Sequence, residues 1–166
     1  MTHLFCFGLG YSAFRLARIV SAQGWTVSGT ARTAEGAERV AAEGFHPLIF
    51  DGRGPGPGIG DALSSATHVL ISTPPGEDGD PVLRHHAGDL QAASSLTWIG
   101  YLSTVGVYGD RQGGWVDERS KTQPTSERSR HRLAAEDAWR AFGAQTNRRV
   151  QLFRLAGIYG PGRSAI

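Results

Sequence analysis

Cysteine occurs once in this 166-residue chain, and no long apolar run occurs at all. A single thiol excludes an internal disulfide. Because Cys6 sits inside the apolar run LFCF, it reads as a buried, inert side chain of a protein kept in a reducing compartment. No stretch approaches the ~20 apolar residues that cross a bilayer. The N-terminus MTHLFCFGLGYS is broken by glycines after Phe7, before it reaches the length of a signal peptide. The expectation is a cytoplasmic protein with no membrane partner. Blocks of like charge are also missing, and the net charge is only +2, so nothing asks for nucleic acid. His85 and His86 are adjacent on an expected helix and diverge from each other, so no metal site is expected.

What is present is an alternation. Six short apolar runs, HLFCFG, WTVSGTA, HPLIFD, HVLIST, WIGYLST and VQLFRLAGIYG, are separated by helical patterns. Ala13, Leu16, Ala17 and Val20 recur at helical spacing before a stop at Gly24. Thr33 is placed to cap a second helix that holds Val40 and Ala41 and closes at Gly44. DGRGPGPGIG, residues 51–60, reads as a loop before a short helix near Ala62 to Ala66, and TPPGEDGDP reads as another loop. Asp80 before Pro81 is a helix start, and Ala135, Ala138, Trp139 and Phe142 mark the apolar face of a last, longer helix. Strands with near-continuous apolar runs, each followed by a crossover, need helices on both faces of a parallel sheet. The expected fold is therefore α/β, a doubly wound, mostly parallel, Rossmann-like sheet in one domain over residues 1–166.

The segment GLGYSA, Gly8 to Ala13, follows the first strand and opens the first helix, and it fits the pattern G-x-G-x-x-A. Gly8 permits the tight turn, Gly10 leaves room for a pyrophosphate at the helix start, and Ala13 allows close packing of helix on strand. Tyr11 and Ser12 lie in the same turn. A nicotinamide dinucleotide is the cofactor this pattern points to. Its type is read at the end of the second strand, GTAR, where an acidic residue would suit the ribose hydroxyl of NAD. Thr30 and Arg32 stand there instead, and an arginine suits a 2′-phosphate, so NADP is favoured over NAD. Asp51 is placed to reach the adenine, and Thr73 and Pro74, at the end of the fourth strand, are placed to wall the nicotinamide side.

The run YLSTVGVYGDRQGGWVDE, then Pro124 and RLAAE, resembles the short-chain dehydrogenase/reductase superfamily in its extended and atypical, epimerase/dehydratase-like branch, and RLAGIYGPG is similar to the sixth-strand motif of that branch. The resemblance spans nearly the whole chain. It implies a cofactor-dependent enzyme acting on a small molecule, with Thr104 at the position of the serine or threonine that helps hold the reacting carbonyl. It also places the catalytic tyrosine at Arg128 and the catalytic lysine at Arg132, so both are replaced.

In such a pair the phenol moves the proton and the lysine lowers its pKa. A guanidinium stays protonated and cannot cycle in that way. Arg128 is suited to stabilise an oxyanion, and Arg132 to hold cofactor ribose or phosphate. Two readings stand at this point. One is an oxidoreductase or epimerase/dehydratase-like protein with a degenerate Tyr/Lys pair. The other is a non-catalytic NADP-binding sensor or protein-interaction module. The resemblance further implies a C-terminal substrate-binding portion absent from these 166 residues, and a homodimer joined through the helices that hold Leu90 and Trp139.

Overall fold

A computed structural model describes residues 1–164. Six strands, β1 (His3–Phe7), β2 (Thr26–Ala31), β3 (His46–Ile49), β4 (His68–Ile71), β5 (Trp98–Thr104) and β6 (Arg149–Leu155), form one sheet in the order β3-β2-β1-β4-β5-β6. Every pairing is parallel. The α/β doubly wound expectation is met. The direction of winding reverses between β1 and β4, and at such a switch point the carboxyl ends of the strands splay to leave a crevice.

The crossover helices are α1 (Tyr11–Ala22), α2 (Ala34–Ala42), α3 (Ile59–Ser64), α4 (Pro81–Ala92) and α5 (Glu127–Thr146). Alternate residues of each strand face opposite layers. Thus Leu4 and Cys6 of β1 join the core beneath α1 and α2, while Phe5 and Phe7 join the larger core shared with α3, α4 and α5. Burial pushes the Cys6 thiol up to about 12, as an inert core residue requires.

The helix starts follow the capping chemistry of the sequence. Thr33 accepts the Gly36 N–H, Ser126 accepts the Ser129 N–H, and one carboxylate oxygen of Asp80 accepts the N–H groups of Val82 and Leu83. The other oxygen of Asp80 takes the indole N–H of Trp139 at 3.1 Å, which ties the start of α4 to the middle of α5 beneath fully buried aromatic rings.

Several boundaries differ from expectation. α3 begins at Ile59 and not near Ala62, because Ile59 is fully buried and anchors the first turn. Ala138 is exposed, and α5 instead turns Ala135, Glu136, Trp139 and Phe142 inward. The last strand ends at Leu155, residues 156–159 continue without pairing, and Gly160 forms an isolated bridge with Arg163. Within the turn-rich stretch after Thr104, Val105–Tyr108 forms a 3-10 helix. On the α1 side of the sheet, no helix among the described residues covers β5 and β6, so Trp98 is only half-buried and Phe153 is 39% exposed. None of the described helices is long and apolar enough to cross a membrane.

Candidate functional site

A cleft of about 980 Å³ opens at the carboxyl ends of β1, β2 and β4, at the switch point. Its floor is the glycine turn. Gly8 has φ of +85°, a backbone conformation that favours glycine. Its N–H donates to the Thr30 hydroxyl at 2.8 Å, and the Leu9 N–H donates to the Thr30 carbonyl at 2.9 Å. Gly10 needs no special backbone angle, with φ of −92°. A Cβ there would meet nothing within 4 Å, so its lack of a side chain simply leaves the mouth of α1 open to the cleft.

Most of the residues singled out in the sequence meet here. Gly8, Gly10, Tyr11, Thr30, Arg32, Asp51, Thr73 and Pro74 all line the cleft. Ser12 and Ala13 do not: Ala13 is fully buried, as its packing role requires, and Ser12 is half-buried outside the lining. Thr30 is buried, and its hydroxyl is engaged by the Gly8 N–H. Asp51 is exposed and accepts the Arg53 N–H at 2.9 Å, closing a local turn whose next residue, Gly52, has φ of +82°. The Tyr11 hydroxyl donates to the Pro161 carbonyl at 3.2 Å, so the stretch after β6 is tied back to the start of α1.

Thr73 carries the clearest sign of a missing partner. Its hydroxyl oxygen is buried yet makes no hydrogen bond, and its methyl lies 3.3 Å from where a Cβ on Gly8 would stand. A buried hydroxyl is normally satisfied. An open helix mouth, where the first N–H groups of α1 have no intrahelical acceptor, fits an elongated anionic ligand of dinucleotide type.

Thr104, Arg128 and Arg132 lie outside the cleft lining. Thr104 caps the 3-10 helix, its hydroxyl accepting the Gly106 N–H at 3.1 Å. Arg128 is exposed in the first turn of α5 and meets no hydrogen-bond or ion-pair partner among the described residues. Arg132 is buried, and its Nη1 donates to the Leu102 carbonyl at 2.8 Å and to the Tyr101 hydroxyl at 3.2 Å. The Arg132 guanidinium thus meets the core, while the sequence suggested ribose or phosphate as its partner. Burial pushes the Tyr101 phenol up to about 12 against the pull of that guanidinium, so Tyr101 is no substitute acid. Tyr108 is also buried, beneath the Arg154 guanidinium at 4.8 Å from its ring.

Sequence reasoning missed what surrounds Arg154. Glu136, fully buried on α5, accepts from the Ser103 hydroxyl at 2.6 Å, from Arg154 Nη2 at 2.7 Å and from Arg140 at 3.2 Å. Burial alone would raise its pKa, but the bonds from Arg154 and Ser103 and the nearby positive charges outweigh that and hold it below the usual carboxylate value. The sequence signal was the placement of Glu136 four residues after Arg132, on the inward face of α5. Also missed were Arg39 and Arg53, which line the cleft from α2 and from the loop after β3. The single lysine of the chain, Lys121, is exposed in the loop before α5.

The sheet order, the glycine turn and the cleft at the switch point define a Rossmann-like, doubly wound domain. No protein-family model matches the chain. Protein YeeZ of Escherichia coli (strain K12) is 31% identical over 169 residues, covering 94% of this chain and 58% of the relative. The structure of a functionally unknown conserved protein from Silicibacter pomeroyi DSS superposes with a TM-score of 0.86 at 44% identity, over 98% of this chain and 56% of that one. A provisionally assigned NAD-dependent epimerase/dehydratase from Methylobacillus flagellatus gives 0.71 at 26% identity, over 98% and 56%. UDP-sugar 4-epimerases solved with NAD, at 18 to 20% identity, share the fold. The motif resemblance holds: the chain has the fold of the epimerase/dehydratase-like branch of the short-chain dehydrogenase/reductase superfamily and is a homologue of YeeZ. It spans a little over half the length of these relatives.

Proposed function

We propose that the chain is a nicotinamide-dinucleotide-binding domain of the epimerase/dehydratase type, that it favours NADP over NAD, and that the family's Tyr/Lys proton relay is absent from it. The observation that carries the cofactor reading is the glycine turn on the floor of the switch-point cleft, where Gly10 leaves the start of α1 open. Gly8 and Gly10 would receive the pyrophosphate, Arg32 the adenosine ribose with its 2′-phosphate, and Asp51 the adenine, with Thr73 and Pro74 toward the nicotinamide. When bound, the dinucleotide supplies a hydride acceptor or donor. This chain's own residues bind and orient it.

The experiment is a parallel calorimetric titration with NADPH and NADH, repeated with Arg32→Asp. Saturable NADPH binding that weakens about tenfold in the variant while NADH binding does not supports the reading. Absence of binding to both nucleotides overturns it.

A second reading, a non-catalytic sensor or protein-interaction module, is favoured by one observation: Arg132 is spent on Tyr101 and Leu102, and Lys121 lies elsewhere, so no lysine stands beside a phenol on α5. Restoring the pair with Arg128→Tyr and Arg132→Lys separates the readings. Substrate-dependent NADPH oxidation gained by that variant marks a decayed active site, and no gain leaves the module standing.

A further inference from the structure

We propose that His86 is a positioning residue of the cleft: through the Gly56 N–H it holds the loop 51–58, and with it Asp51 and Arg53, in the shape that receives the adenosine half of a dinucleotide. The inference rests on the reading of the cleft as a nicotinamide-dinucleotide site and deepens it by assigning the shape of one wall to a buried imidazole on α4.

The loop between β3 and α3 has little means of holding itself. Its sequence, DGRGPGPG, is rich in glycine, and Pro55 and Pro57 have no N–H to donate. Gly56 is therefore the donor of the Pro-Gly-Pro run, and its N–H reaches His86 Nε2 at 3.2 Å. Among the described residues, that is the one hydrogen bond joining residues 52–58 to α4 or to the sheet; the others stay within the loop or lead into α3. The close approach needs glycine, because a Cβ on Gly56 would stand 2.5 Å from both the Ile49 carbonyl oxygen and Ile59 Cδ1. Contact of Gly52 with Pro81 steadies the start of the loop, and His86 steadies its middle.

The imidazole is set up to accept. A backbone N–H can only donate, so Nε2 presents its lone pair and the ring hydrogen sits on Nδ1. Nδ1 lies 2.8 Å from Asp89 Oδ2, an acceptor one turn further along α4, which fixes that tautomer. Asp89 in turn packs on α3, its Oδ1 3.1 Å from where a Cβ on Gly60 would stand. His86 is 1% exposed and packs on Phe7 and Phe50, with ring centroids 5.5 and 5.1 Å away, so the ring has little freedom to turn. Phe50, Asp51 and Arg53 all line the cleft, which places the imidazole one ring behind its wall. The Arg53 side chain is 91% exposed and leans only on Asp51, an ion pair of 3.9 Å, so the place of both side chains follows the backbone that His86 holds. A wall fixed before the ligand arrives loses no affinity to being ordered by it.

The test compares the unaltered 166-residue chain with His86→Phe, which keeps a ring against Phe7 and Phe50 but accepts nothing, and with His86→Gln, whose amide oxygen can take the place of Nε2. Two quantities are read: hydrogen exchange of the Gly56 N–H by nuclear magnetic resonance, which needs no ligand, and calorimetric titration with NADPH and NADH. His86→Phe is expected to speed Gly56 exchange by about tenfold and to weaken both nucleotides alike, by about five- to tenfold, the scale of one lost hydrogen bond at a wall that meets the adenosine half common to them. His86→Gln is expected to restore most of each. A role confined to stability would lower the melting temperature and leave the affinities of the folded variants alone. Unchanged Gly56 exchange, or affinities unchanged while exchange rises, overturns the positioning role and leaves the dinucleotide site in place. Should His86→Phe not fold, the ring-nitrogen chemical shifts of His86 in the unaltered chain decide: a hydrogen on Nδ1 alone is expected, and a hydrogen on Nε2 at neutral pH overturns the latch. Failure of the unaltered chain to bind either nucleotide overturns both readings.

Discussion

Arg132 reaches from α5 to the phenolic oxygen of Tyr101 on β5 at 3.2 Å and forms a strut between helix and sheet. The contact is buried, and the same nitrogen satisfies the Leu102 carbonyl. Truncating it leaves a buried phenol and a carbonyl without their donor. Arg132→Ala is expected to destabilise the fold by about 2–4 kcal/mol, from two unsatisfied groups and lost packing, read as a lowered midpoint in urea with little change in slope. A midpoint within experimental error of the unaltered chain would remove the strut from the account.

Gly8 and Gly10 are expected to respond differently to a side chain. Gly8→Ala meets a left-handed backbone and Thr73 atoms at 3.3 Å, so it should lower the melting temperature. Gly10→Val meets open space, so the fold should stand while dinucleotide affinity drops at least about tenfold. Thermal melts and nucleotide titrations on the two variants check the contrast. Equal melting losses in both would contradict it.

Glu136 makes acid stability sensitive to one carboxylate. Burial raises its pKa, but the Arg154 and Ser103 bonds and the nearby cations prevail, leaving a folded value below the unfolded one. A depressed folded pKa means stability that is full above the unfolded value, about 4.5, and is lost as pH falls through the folded value. Glu136→Gln should therefore cost about 3–5 kcal/mol near neutrality, by breaking a buried ion pair, and less at pH 3. Urea melts across that range measure the convergence.

Asp80 joins two helices through one side chain. Asp80→Ala removes the cap of α4 and orphans the Trp139 indole N–H, an expected loss of about 2–4 kcal/mol. Asp80→Asn, which keeps an acceptor oxygen, should recover part of it. Near-ultraviolet circular dichroism of the Trp139 environment gives a second readout.

The sheet order was legible because it follows from alternation. Apolar runs of strand length, crossovers of helix length and the right-handed rule leave few ways to wind this chain, and the glycine turn falls at the switch point by the same logic. The cleft lining was legible where a residue sits at a strand end, as Thr30, Asp51 and Thr73 do. Arg39 escaped because it belongs to a helix three residues beyond Gly36, and its approach to the cleft depends on how closely that glycine lets α2 press on β2. The fate of Arg132 escaped for a related reason. A motif gives the place of a residue along its helix, but Tyr101, 31 positions earlier in the chain, determines where the guanidinium goes. Ala138 was misjudged because four apolar positions were read as one stripe, while the helix gives that inward position to Glu136, a charge made tolerable by Ser103 and Arg154.

The hold of Thr30 on the glycine turn separates two properties that are easily confused. Its hydroxyl fixes Gly8 and its carbonyl fixes Leu9, while Arg32 and Arg39 stand outside that frame on the exposed rim. The shape of the loop and the charge of the cleft rim are thus written in different residues. Selection or design can redraw the charge of the rim without reshaping the turn, at little risk to folding.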